Sequence, residues 1–382
     1  MPNTSQEIPF NVPYVTGREL GYLEQVIESG HFAGNGPFTK KAERLLEQRY
    51  DVPHVLLTHS CTGALELSAL LLGLTPDDEV IVPSYTFVST AAAFLRTGAR
   101  IVFAEVKPPT MNIDVDDVER KLSPRTRAIV PVHYGGIGAD MDRLALLASR
   151  SGAVLVEDAA QGLEARIDDR WLGSIAPLGT TSFHETKNIH SGLGGALFLN
   201  DSSLFEKAED IWERGTNRAK LFKGLVDKYT WVELGSSFYP SELQAAFLYA
   251  QLESIDENLA ERLALYGRYD ELLRPMEGDG AFELPEVPSS RILNGHTYYL
   301  VANSIADADR IRIGLKERHI NAYIGYVPLH SSPMGASLGY EPSNLPVTEE
   351  YAQRVLRLPL HNAMTVDDVD LVALSISEVL AS

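Results

Sequence analysis

The chain carries a single cysteine, Cys61, in 382 residues. That excludes an intramolecular disulfide and a Cys-rich zinc site, and no metal site is expected. Basic residues are also scarce. There are 33 Lys and Arg against 52 Asp and Glu, for a net charge of -19 and no Lys/Arg-rich run. A nucleic-acid surface is therefore not expected. An anionic small substrate stays possible, because a site can be locally basic within an acidic molecule. No apolar stretch reaches the ~18 residues that mark a membrane span. The opening Met1-Pro-Asn-Thr-Ser-Gln-Glu7 has neither a basic segment nor an apolar core, so no signal peptide is read there. A soluble cytoplasmic protein is the expectation. Internal repeats and low-complexity segments are absent as well.

What is present is a 45% hydrophobic chain, long enough for two domains. Short apolar runs alternate with helical patterns through the first half. Strands are expected at Val55–Thr58, Glu79–Val82, Arg100–Ala104, Ala128–His133 and Ala153–Glu157, and again at Ala196–Leu199. Strands alternating with helices predict a parallel sheet covered on both faces. Residues 215–240 are polar and aromatic and read as a long functional loop. Strong helical patterns follow at Ser241–Leu252 and Ile255–Leu273, the second bridging two domains. The Pro- and Gly-containing stretch 275–290 reads as a linker. The remainder predicts a smaller α/β unit: strands Tyr298–Val301 and Ala322–Tyr326, a helix Ala308–Arg318, a long loop, and a closing helix Val366–Leu380. The division expected is 1–254 and 255–382.

Four groups carry chemistry, each placed after a predicted strand. His59-Ser-Cys-Thr-Gly63 opens a helix with small hydroxyls and a glycine, which suits a phosphate at a helix N-terminus. Pro83-Ser-Tyr-Thr-Phe-Val-Ser89 offers an aromatic for a flat ring. Val154-Leu-Val-Glu-Asp-Ala-Ala-Gln161 ends an apolar strand in an acid. Thr180-Thr-Ser-Phe-His-Glu-Thr-Lys-Asn188 leads into the glycine run Ser191-Gly-Leu-Gly-Gly195, which lets backbone pass close to a ligand. Taken singly, these read as a helix cap, a core aromatic, a second cap and a surface lysine. Taken together at successive strand ends, they suit a pyridoxal phosphate site. Lys187 would form the Schiff base, and Asp158 would keep the ring nitrogen protonated. Gly136-Ile-Gly-Ala-Asp-Met141 imitates a dinucleotide fingerprint, but Met141 occupies the third glycine position.

These segments, with Ser241-Glu-Leu-Gln-Ala-Ala246, Val130-Pro-Val-His-Tyr134, Arg214-Gly-Thr-Asn-Arg218 and Val226-Asp-Lys-Tyr-Thr-Trp231, resemble the DegT/StrS family of nucleotide-sugar aminotransferases. The resemblance runs from Ile8-Pro-Phe-Asn11 to Leu356-Arg-Leu-Pro-Leu360 and is nearest to WecE-type dTDP-4-dehydro-6-deoxyglucose aminotransferases. It implies an α/β fold of PLP fold type I, aspartate aminotransferase-like, with a mostly parallel large sheet and a smaller C-terminal domain. It also implies a homodimer with shared sites, pyridoxal 5'-phosphate as cofactor, and a dTDP-sugar and L-glutamate as substrates. By position, Lys187 would be the Schiff-base lysine, Asp158 the partner of the pyridine nitrogen, and Gln161 the neighbour of the ring hydroxyl. Phe87 would stack on the ring, while Thr62, Gly63 and Ser182 hold the phosphate, with Cys61 helping through its backbone. Ser237 stands where many members place an Asn from the other subunit. Tyr326 and His330 would contact the sugar. Leu193 stands where close relatives often carry Glu. The implied reaction is amino transfer to the C4 ketone of dTDP-4-dehydro-6-deoxy-D-glucose, giving a galacto or gluco amino sugar. The rivals are another nucleotide ketosugar, a PLP sugar dehydratase, which Lys187 argues against, and a non-catalytic sensor.

Overall fold

The computed structural model describes residues 7–279 and 281–381. The reading of residues 1–6 and Gly280 of the expected linker lie outside them. Seven strands form the large sheet: β1 (His54–Thr58), β2 (Glu79–Pro83), β3 (Arg100–Ala104), β4 (Thr126–Ile129), β5 (Val154–Asp158), β6 (Leu178–Ser182) and β7 (Gly195–Leu199). Their spatial order is β1-β7-β6-β5-β4-β2-β3. The steps from β6 through β5, β4 and β2 to β3 are parallel. β7 is antiparallel to both β1 and β6. A parallel return needs a crossover helix. Between Ser182 and Gly195 there is only a loop, so the chain doubles straight back.

That reversal matters for the site. β1, β2, β5 and β6 end on one rim, and β7 starts there, with Gly195 opposite both Thr58 and Ser182. Strand interiors such as Val55–Leu57 and Val80–Val82 are buried on both faces, as a covered parallel sheet requires. α1 (Glu19–Ser29) and α2 (Pro37–Tyr50) precede β1. α3 (Cys61–Leu71) and α4 (Ser89–Leu95) follow β1 and β2. α5 (Glu242–Glu253) begins at a capping box in which Ser241 and Gln244 satisfy each other's backbone N–H groups. α6 (Ile255–Leu273) matches its expected bounds.

The second sheet holds β8 (Phe282–Glu283), β9 (Tyr298–Ala302), β10 (Tyr323–Ile324) and β11 (Val355–Leu358), in the order β8-β9-β11-β10. α7 (Ile305–Glu317) and α8 (Val366–Ala381) pack against it around a separate apolar cluster that includes Leu300, Ile311, Leu356 and Ile376. The sequence read residues 327–365 as a loop. The structure instead gives short helices at Pro333–Ser337 and Pro346–Ala352, and β11, a central strand. Ile8 of the N-terminal arm pairs with Ile320 and joins this second cluster. No helix among the described residues is long and apolar enough to cross a membrane. No group of three or more His, Cys, Asp and Glu among them could hold a metal.

Candidate active site

A cavity of about 540 Å3 opens on the rim where β1, β2, β5 and β6 end, the usual ligand position in an open α/β sheet. Its walls bring together Thr62, Phe87, Asp158, Gln161, Ser182, Lys187 and Tyr326, seven of the residues expected there. α3 starts at the wall because Ser60 caps it, taking the Gly63 N–H on its Oγ at 3.0 Å. Gly63 is thereby engaged in the cap, while the first-turn amides of Cys61 and Thr62 have no partner within the helix. Thr62 Oγ1 lies 2.7 Å from Ser89 Oγ, so two hydroxyls stand side by side at the wall. Gly195 allows this arrangement. A Cβ there would sit 2.4 Å from the Cys61 nitrogen.

Asp158 ends β5 with its carboxylate buried. Thr90 Oγ1 donates to Oδ2 at 2.7 Å, and the Ala160 N–H donates to Oδ1 at 3.1 Å. Burial pushes its acid above the ordinary carboxylate range, against these hydrogen bonds and the charge of Lys187. Lys187 sits in the 183–194 loop, where its N–H bonds the His184 carbonyl at 2.8 Å. Burial lowers its ammonium below the usual lysine range and Arg357 adds to that, while Cys61 and Asp158 oppose it. A lysine so placed is more readily neutral, as a nucleophile must be. Burial also raises the Cys61 thiol, which makes it an inert wall rather than a nucleophile.

Gln161 Oε1 accepts the Gly135 N–H at 2.7 Å, and its Nε2 donates to Tyr326 Oη at 3.3 Å. Phe87 is 57% exposed and Leu193 55%, both lining the cavity. The Leu193 carbonyl is fixed by Ser191 Oγ and Gln244 Nε2, so the loop carrying Lys187 is tied to α5.

Two expected residues are not on this cavity, one of them, Ser237, at a position expected to serve the site of another subunit. His330 is fully buried away from the cavity, its Nδ1 2.7 Å from Ser84 Oγ and its N–H donated to the same oxygen. It fastens the end of β2 to the segment before Pro333, and its ring does not line this cavity. Ser237 is exposed and pairs with Glu213 outside the cavity. The Gly136–Met141 decoy is also structural. A Cβ on Gly136 would meet Asn294 Oδ1 at 2.2 Å, and one on Gly138 would meet Ile167. Beside it, buried His133 accepts the Ala139 N–H on Nδ1 and pairs with Glu157 through Nε2 at 2.9 Å.

Some site residues were missed. Thr90, which holds Asp158, lies one residue past the Pro83–Ser89 motif. Asn188 donates to the Asn294 carbonyl and meets His296 Nδ1 at 3.2 Å, which ties the lysine loop to the segment before β9. Arg357 lines a smaller compartment next to Lys187. Its one sequence signal was a charge inside the apolar run Val355-Leu-Arg-Leu358.

A buried acid, a lysine lowered in basicity by burial and a helix N-terminus facing one cavity form a donor set for a phosphorylated pyridine ring, so the residues fit pyridoxal phosphate. The model of the DegT/DnrJ/EryC1/StrS aminotransferase family matches residues 13–377. The spore coat polysaccharide biosynthesis protein SpsC of Bacillus subtilis (strain 168) is 31% identical over 371 residues, covering 95% of this chain and 94% of its own. The dTDP-4-dehydro-2,3,6-trideoxy-D-glucose 4-aminotransferase of Saccharopolyspora spinosa is 29% identical, covering 96% and 95%. The crystal structure of the aminotransferase TlmJ from Streptoalloteichus hindustanus matches with a TM-score of 0.90 at 31% identity, covering 98% of this chain and 99% of that one. The fold is thus the aspartate aminotransferase-like type I fold.

Proposed function

The chain belongs to the DegT/DnrJ/EryC1/StrS aminotransferase family, and from that premise we propose that it uses pyridoxal 5'-phosphate to move an amino group from L-glutamate to the C4 ketone of dTDP-4-dehydro-6-deoxy-D-glucose. The products are a dTDP-4-amino-4,6-dideoxyhexose and 2-oxoglutarate. The observation that carries the reading is Lys187, lowered in basicity by burial, on the same cavity as the buried acid Asp158. The S. spinosa relative, named for a dTDP-4-dehydro sugar and a 4-amino transfer, supports the nucleotide and the position.

Bound pyridoxal phosphate supplies an electron sink for a carbon that loses its proton. The chain's residues do the rest. Lys187 would hold the group through Nζ, and Asp158 would keep its ring nitrogen protonated. The first turn of α3, with Ser182, would take the phosphate. Phe87 would cover one ring face, and Gln161 would reach the ring hydroxyl. Lys187 Nζ would also take the proton from the donor Cα and deliver one to sugar C4. The face it reaches fixes the galacto or gluco product. A second copy of the chain would bring its own 215–240 segment, including the position of Ser237, to the cavity.

The test is direct. Protein, pyridoxal phosphate, L-glutamate and dTDP-4-dehydro-6-deoxy-D-glucose are incubated, and the C4 coupling constants of the product are read by NMR. A 4-amino sugar is expected, with the couplings distinguishing the two epimers. Amino transfer only to a 3-dehydro or a UDP-linked sugar would move the substrate assignment. Release of ammonia without an amino sugar would favour a dehydratase. Lys187→Ala should abolish turnover and the visible absorbance of lysine-bound cofactor, and full activity in that variant would sink the assignment.

A further inference from the structure

The segment after β2 grips the large cavity at two places. Ser89 and Thr90 are neighbours at the start of α4, and both line the cavity. Ser89 Oγ stands 2.7 Å from Thr62 Oγ1, at the wall proposed for the phosphate. Thr90 Oγ1 instead donates to Asp158 Oδ2 at 2.7 Å. β2 and β5 are not adjacent in the sheet, since β4 lies between them. The Thr90 contact therefore ties two strand ends that the sheet itself leaves unconnected.

A second hydroxyl stands behind Thr90. Thr86 Oγ1 lies 2.9 Å from Thr90 Oγ1. Thr86, Thr90 and Asp158 are all buried, at 3%, 1% and 4% exposure. A hydroxyl has one proton to give. With the Thr90 proton given to Asp158, Thr86 is the donor to Thr90, and the chain runs from Thr86 through Thr90 to the acid. The other carboxylate oxygen, Oδ1, takes the Ala160 N–H at 3.1 Å. Both oxygens thus act as acceptors, which suits the ionised acid. A proton on Oδ2 directed at Thr90 would need both hydroxyls to turn round. Each oxygen also keeps a lone pair for one more donor. Burial opposes the charge on Asp158, and the Thr90 hydroxyl leads the groups that favour it, ahead of the Ala160 N–H, Lys187 and His133. Hydrogen bonds in such a buried chain polarise one another, so Thr86 strengthens what Thr90 gives.

We infer that Thr90, backed by Thr86, is a positioning residue that holds Asp158 ionised for the ring nitrogen of pyridoxal phosphate. This role rests on the proposed use of that cofactor and concerns only the nitrogen end of its seat. Ser89, through Thr62, serves the phosphate end.

The test reads cofactor binding, with no turnover involved. Full-length protein freed of cofactor is titrated by calorimetry with pyridoxal phosphate, and with the analogue whose ring nitrogen is replaced by C–H. Thr90→Val keeps the shape of the side chain and loses the hydroxyl. It should weaken pyridoxal phosphate by roughly tenfold or more, as loss of a hydrogen bond to a charged group requires, and should bind the analogue as the wild type does. Thr90→Ser returns the hydroxyl and should bind both ligands nearly as the wild type does. Thr86→Val acts only through Thr90, so it should weaken pyridoxal phosphate by a smaller factor and spare the analogue. Ser89→Ala should weaken both ligands alike. That same pattern in Thr90→Val, or wild-type affinity of Thr90→Val for pyridoxal phosphate, overturns the assignment. If Thr90→Val does not fold, the ratio of the two affinities in Thr86→Val decides, and a ratio equal to that of the wild type overturns it. A wild type that does not bind pyridoxal phosphate sinks this role together with the proposed function. Binding without amino transfer from glutamate counts against the proposed function alone.

Discussion

Lys187 owes its chemistry to residues far from it in sequence. Asp158 comes from a neighbouring strand end, Cys61 from the start of α3, and Arg357 from the second sheet. Their sum, with burial, decides whether the amine is neutral often enough to react. His330 is the opposite case. Its segment pointed to sugar contact, yet its ring is spent on Ser84 Oγ and, more loosely, on the Pro342 carbonyl. His330→Ala should therefore lower stability by about 2–3 kcal/mol, since it leaves the buried Ser84 hydroxyl unpaired and opens a void. The sugar KM should stay where it is. Denaturant melts and steady-state kinetics on one preparation would separate the two effects, and a large rise in KM without loss of stability would return His330 to the site.

At the scale of elements, legibility followed local signal. The four strand-end motifs could be found because each joins an apolar run to a helix or a glycine turn, and topology then places such ends on one rim. β11 was missed because it has only four residues, and Arg357 breaks its apolar pattern. With the strand went the arginine that lines the second compartment. The antiparallel direction of β7 was implicit in the missing crossover helix, but the sequence marked Ala196–Leu199 only as a strand, without a direction. Another element-level feature, the seam of α2 on β1, has a pH consequence. Glu43 is buried there, accepts the Leu57 N–H at 3.1 Å and pairs with Lys40 at 2.8 Å. Burial raises its acid to about 7 from an ordinary 4.5. The folded chain then holds a proton there that the unfolded chain has released. The contribution of Glu43 to stability is fullest below pH 4.5 and falls as pH rises toward 7, by as much as about 3 kcal/mol. Glu43→Gln stays neutral in both states and can still accept from Leu57. Relative to wild type, it should gain stability between pH 5 and pH 8, measured as the difference of two urea melts. An unchanged difference between the two pH values would show that Glu43 is ionised in the folded protein throughout.

At the scale of the whole molecule, charge and apolar surface pull in opposite directions. A net charge of -19 keeps copies apart. Yet the 222–234 segment exposes Phe222, Leu225, Trp231 and Leu234, with Trp231 75% exposed. The segment is held in shape. The Val232 and Glu233 N–H groups both bond the Gly215 carbonyl, and the Thr230 N–H bonds Asn217 Oδ1 at 2.7 Å. A pinned loop with its apolar side chains outward is arranged for contact with another surface. A second copy of this chain is the occupant that the proposed shared site requires. The wild type should then run as a dimer in light scattering behind size exclusion. Trp231→Glu places a charge in that contact and should shift the mass toward the monomer, with the melting temperature of the monomer's own core little changed. Because each copy is strongly acidic, salt should act on what association remains. Raising ionic strength screens the repulsion over a Debye length of about 8 Å or less, so the variant should recover dimer at high salt. Amino transfer should fall and recover with the dimer fraction if the partner's segment completes the site, and activity independent of mass would place the whole reaction within one chain.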